Sequence, residues 1–280
     1  MNDNNNTVVQ ISVKEVLKTK VPKVYKFLPK FVIRYLEKVL HQREINDFLK
    51  NNSDKHGTDF TEAVLNLFNT KIEYVGIEKV PKDKRYVFIA NHPLGGLDGI
   101  AFIHLVNRIF GEAKAIVNDL LLYIKNLEPV FQGVNVFGKF SRSQNRAMED
   151  LYRSHKHVIV FPSGLVSRKV KGKIQDLEWK KSFLQKAKQY ARYIVPVYIE
   201  GRNSNFFYNF ANFRKFIGMK FGLELIYLPD EMFNYRNKTI KFYFGAPYSY
   251  EFFDKSKTLK DWVDFLRKKV YSLKKEYNGE

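Results

Sequence analysis

The chain has 280 residues, 45% of them apolar, which is enough for one large domain with a substantial core and excludes a generally disordered chain. It has no cysteine, which excludes a disulfide framework, a catalytic thiol and any cysteine-ligated metal centre. Lysine and arginine exceed the acidic residues by 48 to 29, and the formal charge of +19 calls for an anionic partner: nucleic acid, an anionic membrane face or an acidic protein.

Residues 1–10, opening on Met1-Asn2-Asp3-Asn4-Asn5-Asn6, read as a disordered tail, followed by a helical extension over 11–55 and a single domain over 56–280. The tail lacks the order of charged, apolar and small residues of a signal peptide. No later run approaches the roughly 18 apolar residues of a spanning helix, so a cytoplasmic location is expected. Residues 22–50 carry an apolar stripe of Leu28, Phe31, Val32, Tyr35, Leu36, Val39 and Leu40. Lys26, Lys30, Arg34 and Lys38 repeat every four residues on another face. Such a helix fits two uses: lying on anionic lipid with snorkelling lysines, or packing on its own domain with a solvated basic face.

Strands are expected at 72–78 and 86–90, a helix at 99–110, a strand at 113–117, a short helix at 120–125 and a strand at 134–139. A polar helix at 142–153, a strand at 157–161, a helix at 178–191 and a β-rich run at 193–199 follow. Residues 205–216 hold six aromatics at helical spacing, with some expected in the core and others against lipid. Leu259, Trp262, Val263, Leu266, Val270 and Leu273 mark a closing amphipathic helix. This alternation predicts an α/β fold, one domain with a mixed, largely parallel sheet flanked by helices.

Two strand ends carry polar motifs. The run Val87-Phe88-Ile89-Ala90 stops at Asn91-His92-Pro93-Leu94-Gly95-Gly96-Leu97-Asp98, a turn with one imidazole, two glycines and one carboxylate. A histidine there can act as a base near neutral pH, a carboxylate can orient it, and glycines let the backbone bend and leave room for a substrate. About 70 residues later, His157-Val158-Ile159-Val160 runs into Phe161-Pro162-Ser163-Gly164-Leu165-Val166-Ser167-Arg168. Two such ends suit one crevice at the edge of an α/β sheet.

Asn91-His92-Pro93 to Asp98 resembles the His/Asp motif of the glycerolipid and lysophospholipid acyltransferase superfamily, and Phe161-Pro162-Ser163-Gly164 its Phe-Pro-Glu-Gly block. The nearer resemblance is to the hemolysin-like branch that O-acylates lyso-ornithine or lyso-glycine lipids. It extends to Asp176-Leu177-Glu178-Trp179, Val195-Pro196-Val197-Tyr198, Gly201-Arg202-Asn203-Ser204 and Glu231-Met232-Phe233, over roughly residues 20–250. Two departures from the broad pattern stand out. Five residues rather than four separate His92 from Asp98, and Ser163 replaces the glutamate of a block that helps hold glycerol phosphate. Gly95 and Gly96 can absorb the extra residue, and both departures point away from a phosphate-bearing acceptor.

The resemblance implies His92 as general base and Asp98 as the group orienting it. Around the pair, Asn91 is expected to shape the turn and backbone N–H groups near Gly164 to serve the oxyanion; Arg168 is read either as holding an acceptor carboxylate or as a solvated surface charge, and Lys139 either as part of a second basic block or as a solvated charge. Gly95, Gly96 and Ser163 complete the expected substrate site. The implied donor is an acyl thioester of acyl carrier protein or coenzyme A, the acceptor a lyso-aminolipid of N-acyl glycine or ornithine type, the place an anionic membrane surface, and no cofactor or metal is required. A lysophosphatidate acyltransferase is the rival within the class. Outside it stands a non-catalytic basic protein binding membrane or nucleic acid, although zinc-finger spacing, an RNP signature and a basic zipper are absent, so nucleic acid is not the expected partner. Ser163 is not in a nucleophile elbow, since Phe161 stands two residues before it. His41, His56, His104, His155 and His157 show no metal-ligand spacing.

Overall fold

The structure, a computed structural model, describes residues 10–134, 142–219 and 222–279. Helices α1 (Val13–Lys20), α2 (Pro22–Tyr25), α3 (Lys30–Val39), α4 (Gln42–Asn51) and α5 (Gly57–Leu67) come first. Then follow β1 (Lys71–Val75), β2 (Tyr86–Ala90), α6 (Leu97–Phe110), β3 (Ala113–Asn118), β4 (Phe131–Val134), α7 (Arg142–Arg153) and β5 (His157–Val160). The remainder comprises β6 (Arg168–Val170), β7 (Lys173–Gln175), α8 (Ser182–Gln189), β8 (Tyr193–Glu200), α9 (Asn205–Phe216), α10 (Leu228–Asn234), β9 (Thr239–Phe244) and α11 (Leu259–Asn278).

Among the described residues seven strands form one sheet, in the order β1-β9-β8-β2-β5-β3-β4. From β8 to β4 they run parallel; β9 is antiparallel to β8 and parallel to β1. This is the mixed, largely parallel sheet expected. All five residues of β2 are fully buried, because alternate side chains feed two different layers. Phe88 and Ala90 pack with Phe60 of α5 and Leu97, Ala101 and Phe102 of α6. Val87 and Ile89 pack with Tyr152 of α7, Leu184 of α8, and Trp262 and Leu266 of α11. Arg192, also fully buried, donates to the carbonyls of Leu151, Tyr152, Ser154 and Lys156, capping the end of α7 against the start of β8.

Several expectations are corrected. Residues 22–50 are not one helix: Pro29 is the N-cap of α3, and His41 sits in the left-handed region at φ 47° between α3 and α4. The amphipathic stripe is divided: Val39 is buried, as packing on the domain requires, while Phe31 and Tyr35 face solvent. Leu49 of α4 joins the cluster containing Phe60 and Phe88, so these N-terminal helices pack on the domain core. The strand expected at 134–139 lies at Phe131–Val134, and Lys139, like the first nine residues of the expected tail, lies outside the described residues. The short helix expected at 120–125 is a pair of 3-10 turns, Asp119–Tyr123 and Lys125–Val130. Strand β9 and the β6–β7 hairpin were not expected. The hairpin turns on Lys171 and Gly172, both at positive φ, which matches a two-residue turn.

Candidate active site

Strands β8, β2 and β5 are neighbours and end side by side, with Ala90 opposite Val197 and Ile89 opposite Val160. The chain leaving β2 therefore meets the chain leaving β5 at the carboxyl edge of the parallel strands. Asn91 fastens the first turn to β8: its side-chain amide donates to Ile199 O (2.9 Å) and accepts from Ile199 N (2.7 Å). Both ends of that amide are thereby engaged in shaping the turn.

Asp98, in the first turn of α6, is completely buried. Its Oδ2 accepts from His92 Nδ1 (3.0 Å) and Leu94 N (3.0 Å), and its Oδ1 accepts from Gly99 N (2.9 Å). An ionised carboxylate can only accept, so Nδ1 carries the proton and Nε2 is left to take one. The ring lies flat on Phe161, with centroids 4.0 Å apart, and the His92 side chain keeps 15% exposure. Burial pushes the imidazole towards neutrality, but the charge and hydrogen bond of Asp98, with the charge of Asp176, outweigh that and the opposing Arg168. The net His92 pKa is raised above the usual imidazole value.

The two glycines do not open space. Gly95 adopts φ +86°, and a Cβ there would lie 3.0 Å from Leu228 Cδ2 and 3.3 Å from Val166 Cβ. At Gly96, the N-cap of α6, a Cβ would fall 2.5 Å from Met232 Sδ. These residues permit close packing of α10 and Val166 on the turn, so the room expected for substrate is filled at those points.

The second turn also closes on itself. Gly164 N donates to Phe161 O (2.9 Å), and Ser163 Oγ donates to Leu165 O (2.6 Å). The donor expected at Gly164 for an oxyanion is thus engaged within the turn, and Ser163 is buried. Arg168 differs from the open fork expected for a carboxylate: it is buried, its guanidinium donates to Val166 O (2.6 Å) and Glu224 Oε1 (2.9 Å), and it lies over the Phe207 ring. Arg214 donates to the same glutamate through Nε (2.6 Å), leaving two guanidinium groups against one carboxylate.

Sequence reasoning assigned no role to Asp176, Ser167, Glu224 or Arg214, although the first two lie within or beside quoted motif segments. A carboxylate three residues before Trp179 was the available signal, and Trp179 Nε1 does donate to Asp176 Oδ2 (2.9 Å). The other histidines sit elsewhere. His157 lies between Tyr86 N and Phe110 O, His104 meets Thr61, and burial lowers the pKa of both. His41 pairs with Asp230 (3.0 Å) and stacks on Phe233.

The profile of a family described as acyltransferase matches residues 15–279. The chain is 46% identical over 264 residues to a lyso-glycine lipid O-acyltransferase of Bacteroides thetaiotaomicron, covering 94% of this chain and 97% of that one. It is 41% identical over 268 residues to a protein of the same name from Phocaeicola vulgatus, covering 95% and 96%. The crystal structure of the 1-acyl-sn-glycerophosphate acyltransferase of Thermotoga maritima aligns over 96% of both chains with a TM-score of 0.47 and 17% identity. With a family match over most of its length and relatives this similar along nearly the whole chain, the protein belongs to the acyltransferase family and is an enzyme that transfers acyl groups.

Proposed function

We propose that this enzyme moves a fatty acyl group from a thioester to the 3-hydroxyl of a lyso-aminolipid of the N-acyl glycine type. The observation that carries this is the buried Asp98 holding His92 Nδ1 at a strand-end crevice, in a chain so similar to proteins named for lyso-glycine lipid. His92 Nε2 accepts the proton of the acceptor hydroxyl as its oxygen attacks the thioester carbonyl. The ester C–O bond forms, the C–S bond breaks, and the imidazolium returns the proton to the departing thiolate. Asp98 keeps the reactive tautomer and stabilises the imidazolium. No acyl-enzyme and no cofactor enter this scheme. Acyl carrier protein or coenzyme A delivers the donor, and the similarity to proteins named for lyso-glycine lipid favours an acceptor with a carboxylate head.

The reading extends to place. No helix among the described residues is long and apolar enough to cross a membrane. Phe27 is 87% exposed and Phe31 71%, beside exposed Lys23, Lys26 and Lys30. Tyr35 Oη meets Tyr227 Oη (2.8 Å), and Tyr227 packs on Phe206 of α9, a helix that itself exposes Phe206, Phe213 and Phe216. An apolar, lysine-edged surface spanning α2, α3 and α9 suits peripheral attachment to the anionic inner face of the cell membrane.

The test is transfer from a labelled acyl thioester, on either carrier, to N-(3-hydroxyacyl)glycine, its ornithine counterpart and lysophosphatidate in parallel. Product from the glycine acceptor is expected, with His92→Ala lowering turnover about 10²–10⁴-fold while folded. Product from lysophosphatidate alone overturns the acceptor assignment, and undiminished turnover in His92→Ala overturns the mechanism.

A further inference from the structure

Asp176 takes no part in the steps above, yet its carboxylate reaches the catalytic turn. Oδ1 accepts from the His92 backbone N (3.2 Å) and from Ser167 Oγ (2.5 Å), while Oδ2 accepts from Trp179. Ser167 N donates in return to His92 O (2.8 Å), so the two main-chain polar groups of His92 are held by this pair. The hairpin explains the meeting: Arg168 faces Gln175 across β6 and β7, which makes Ser167 and Asp176 the next pair along. From behind, Tyr271 Oη of α11 accepts from Asp176 N (2.8 Å), and Arg267 donates to Asp176 O (2.7 Å).

Asp176 is only 2% exposed, and a buried carboxylate is costly without donors. Burial outweighs the lowering by Ser167, the His92 backbone, Trp179 and the charge of His92, so its pKa lies above the usual carboxylate value. The charged groups acting on His92 are Asp98 from α6, Asp176 from the hairpin's end and Arg168 from β6. Those around Asp176 are His92, with Tyr198 from β8 and Arg267 and Tyr271 from α11.

Resting on the reading of His92 as the base, we propose that Asp176 is a positioning residue that fixes the His92 main chain at the crevice and supplies a second negative charge favouring the imidazolium. Asp98 sets the ring; Asp176 sets the backbone that carries it.

Asp176→Asn keeps the shape and removes the charge. The acid limb of kcat/KM against pH is expected to move down by about half a unit or more, since one of two negative charges favouring the protonated ring is gone. At the plateau kcat is expected to fall about 10- to 100-fold, the usual scale for a misplaced base, with KM changed less than about threefold. An unmoved limb overturns the proposal, because a residue that only supports the fold lowers activity equally at every pH. Ser167→Ala removes a hydrogen bond and keeps the charge, so kcat falls while the limb stays. Where Asp176→Asn does not fold, unchanged kcat in folded Ser167→Ala overturns the proposal. His92→Ala separates the two readings: if it retains turnover, His92 is not the base. If it is inactive while Asp176→Asn leaves the limb in place, only the role of Asp176 fails.

Discussion

In the turn after β2, Asn91, Leu94 and Asp98 are buried and their polar groups are paired, whereas α2, α3 and the turn between them present Val24, Phe27, Phe31 and Tyr35 to solvent. The first region places polar groups where water cannot reach them, so the fold must satisfy each one or lose stability. The second leaves large apolar groups in water, where they add little to the fold. A buried polar turn and an exposed apolar helix are both unfavourable by default. In the proposed function each serves something outside the chain, chemistry in one case and a membrane surface in the other.

The sharpest way to break the first half of that contrast is Asp98→Asn. It turns one of the two accepting oxygens into an NH2 donor, which leaves at least one of the three N–H groups without its acceptor, and removes the main charge holding the His92 pKa up, so burial then pushes that pKa down. Turnover should fall about 10²–10⁴-fold, measured as single-turnover transfer, because the wrong tautomer is favoured. In the unaltered enzyme the acid limb of kcat/KM should lie above pH 6.5, since the base works only when deprotonated and its pKa is raised. A limb below that value contradicts the pairing.

The second half is broken at the surface. Phe27→Ser with Phe31→Ser should reduce binding to anionic vesicles about 10- to 100-fold by co-sedimentation, as two apolar anchors are lost. Folding stability should change by about 0.5 kcal/mol or less by denaturant titration, because both side chains are already exposed. Gly95→Ala reverses that pattern. With φ +86° and Leu228 Cδ2 only 3.0 Å from the new Cβ, it should cost about 1–3 kcal/mol of stability while leaving vesicle binding intact.

The smallest effect is linkage. A His92 pKa raised in the folded protein stabilises it fully below the ordinary imidazole value, and that increment disappears as pH rises through the elevated value. Thermal melts of the native enzyme and His92→Gln across this window should converge on the alkaline side.

Much of this was legible in the chain. The strands at 86–90 and 157–160 announce themselves as short apolar runs, and His92 and Asp98 are a base and a carboxylate on one tight turn. The closing helix was readable from its period, and Trp262, Val263, Leu266, Val270 and Leu273 are all buried in α11. Strand β9 escaped because Thr-Ile-Lys-Phe-Tyr-Phe alternates only weakly, and it pairs with strands far away in sequence, β1 and β8. The aromatic helix α9 showed its spacing but not its direction: Phe207 and Tyr208 are buried while Phe213 and Phe216 are not.

What the sequence by itself determined are features whose physics is local: apolar period, turn chemistry, the six-residue step from His92 to Asp98, and the excess of positive charge. Tertiary structure alone decided who pairs with whom. Arg168 looked like a free cation until Glu224, 56 residues later, was brought against it. Asp176 looked like one carboxylate among many until the hairpin set it on the His92 backbone, 84 residues away. A side chain's charge and hydrogen-bonding capacity are properties of the residue, but whether that capacity is free or already satisfied depends on neighbours that only the folded chain supplies.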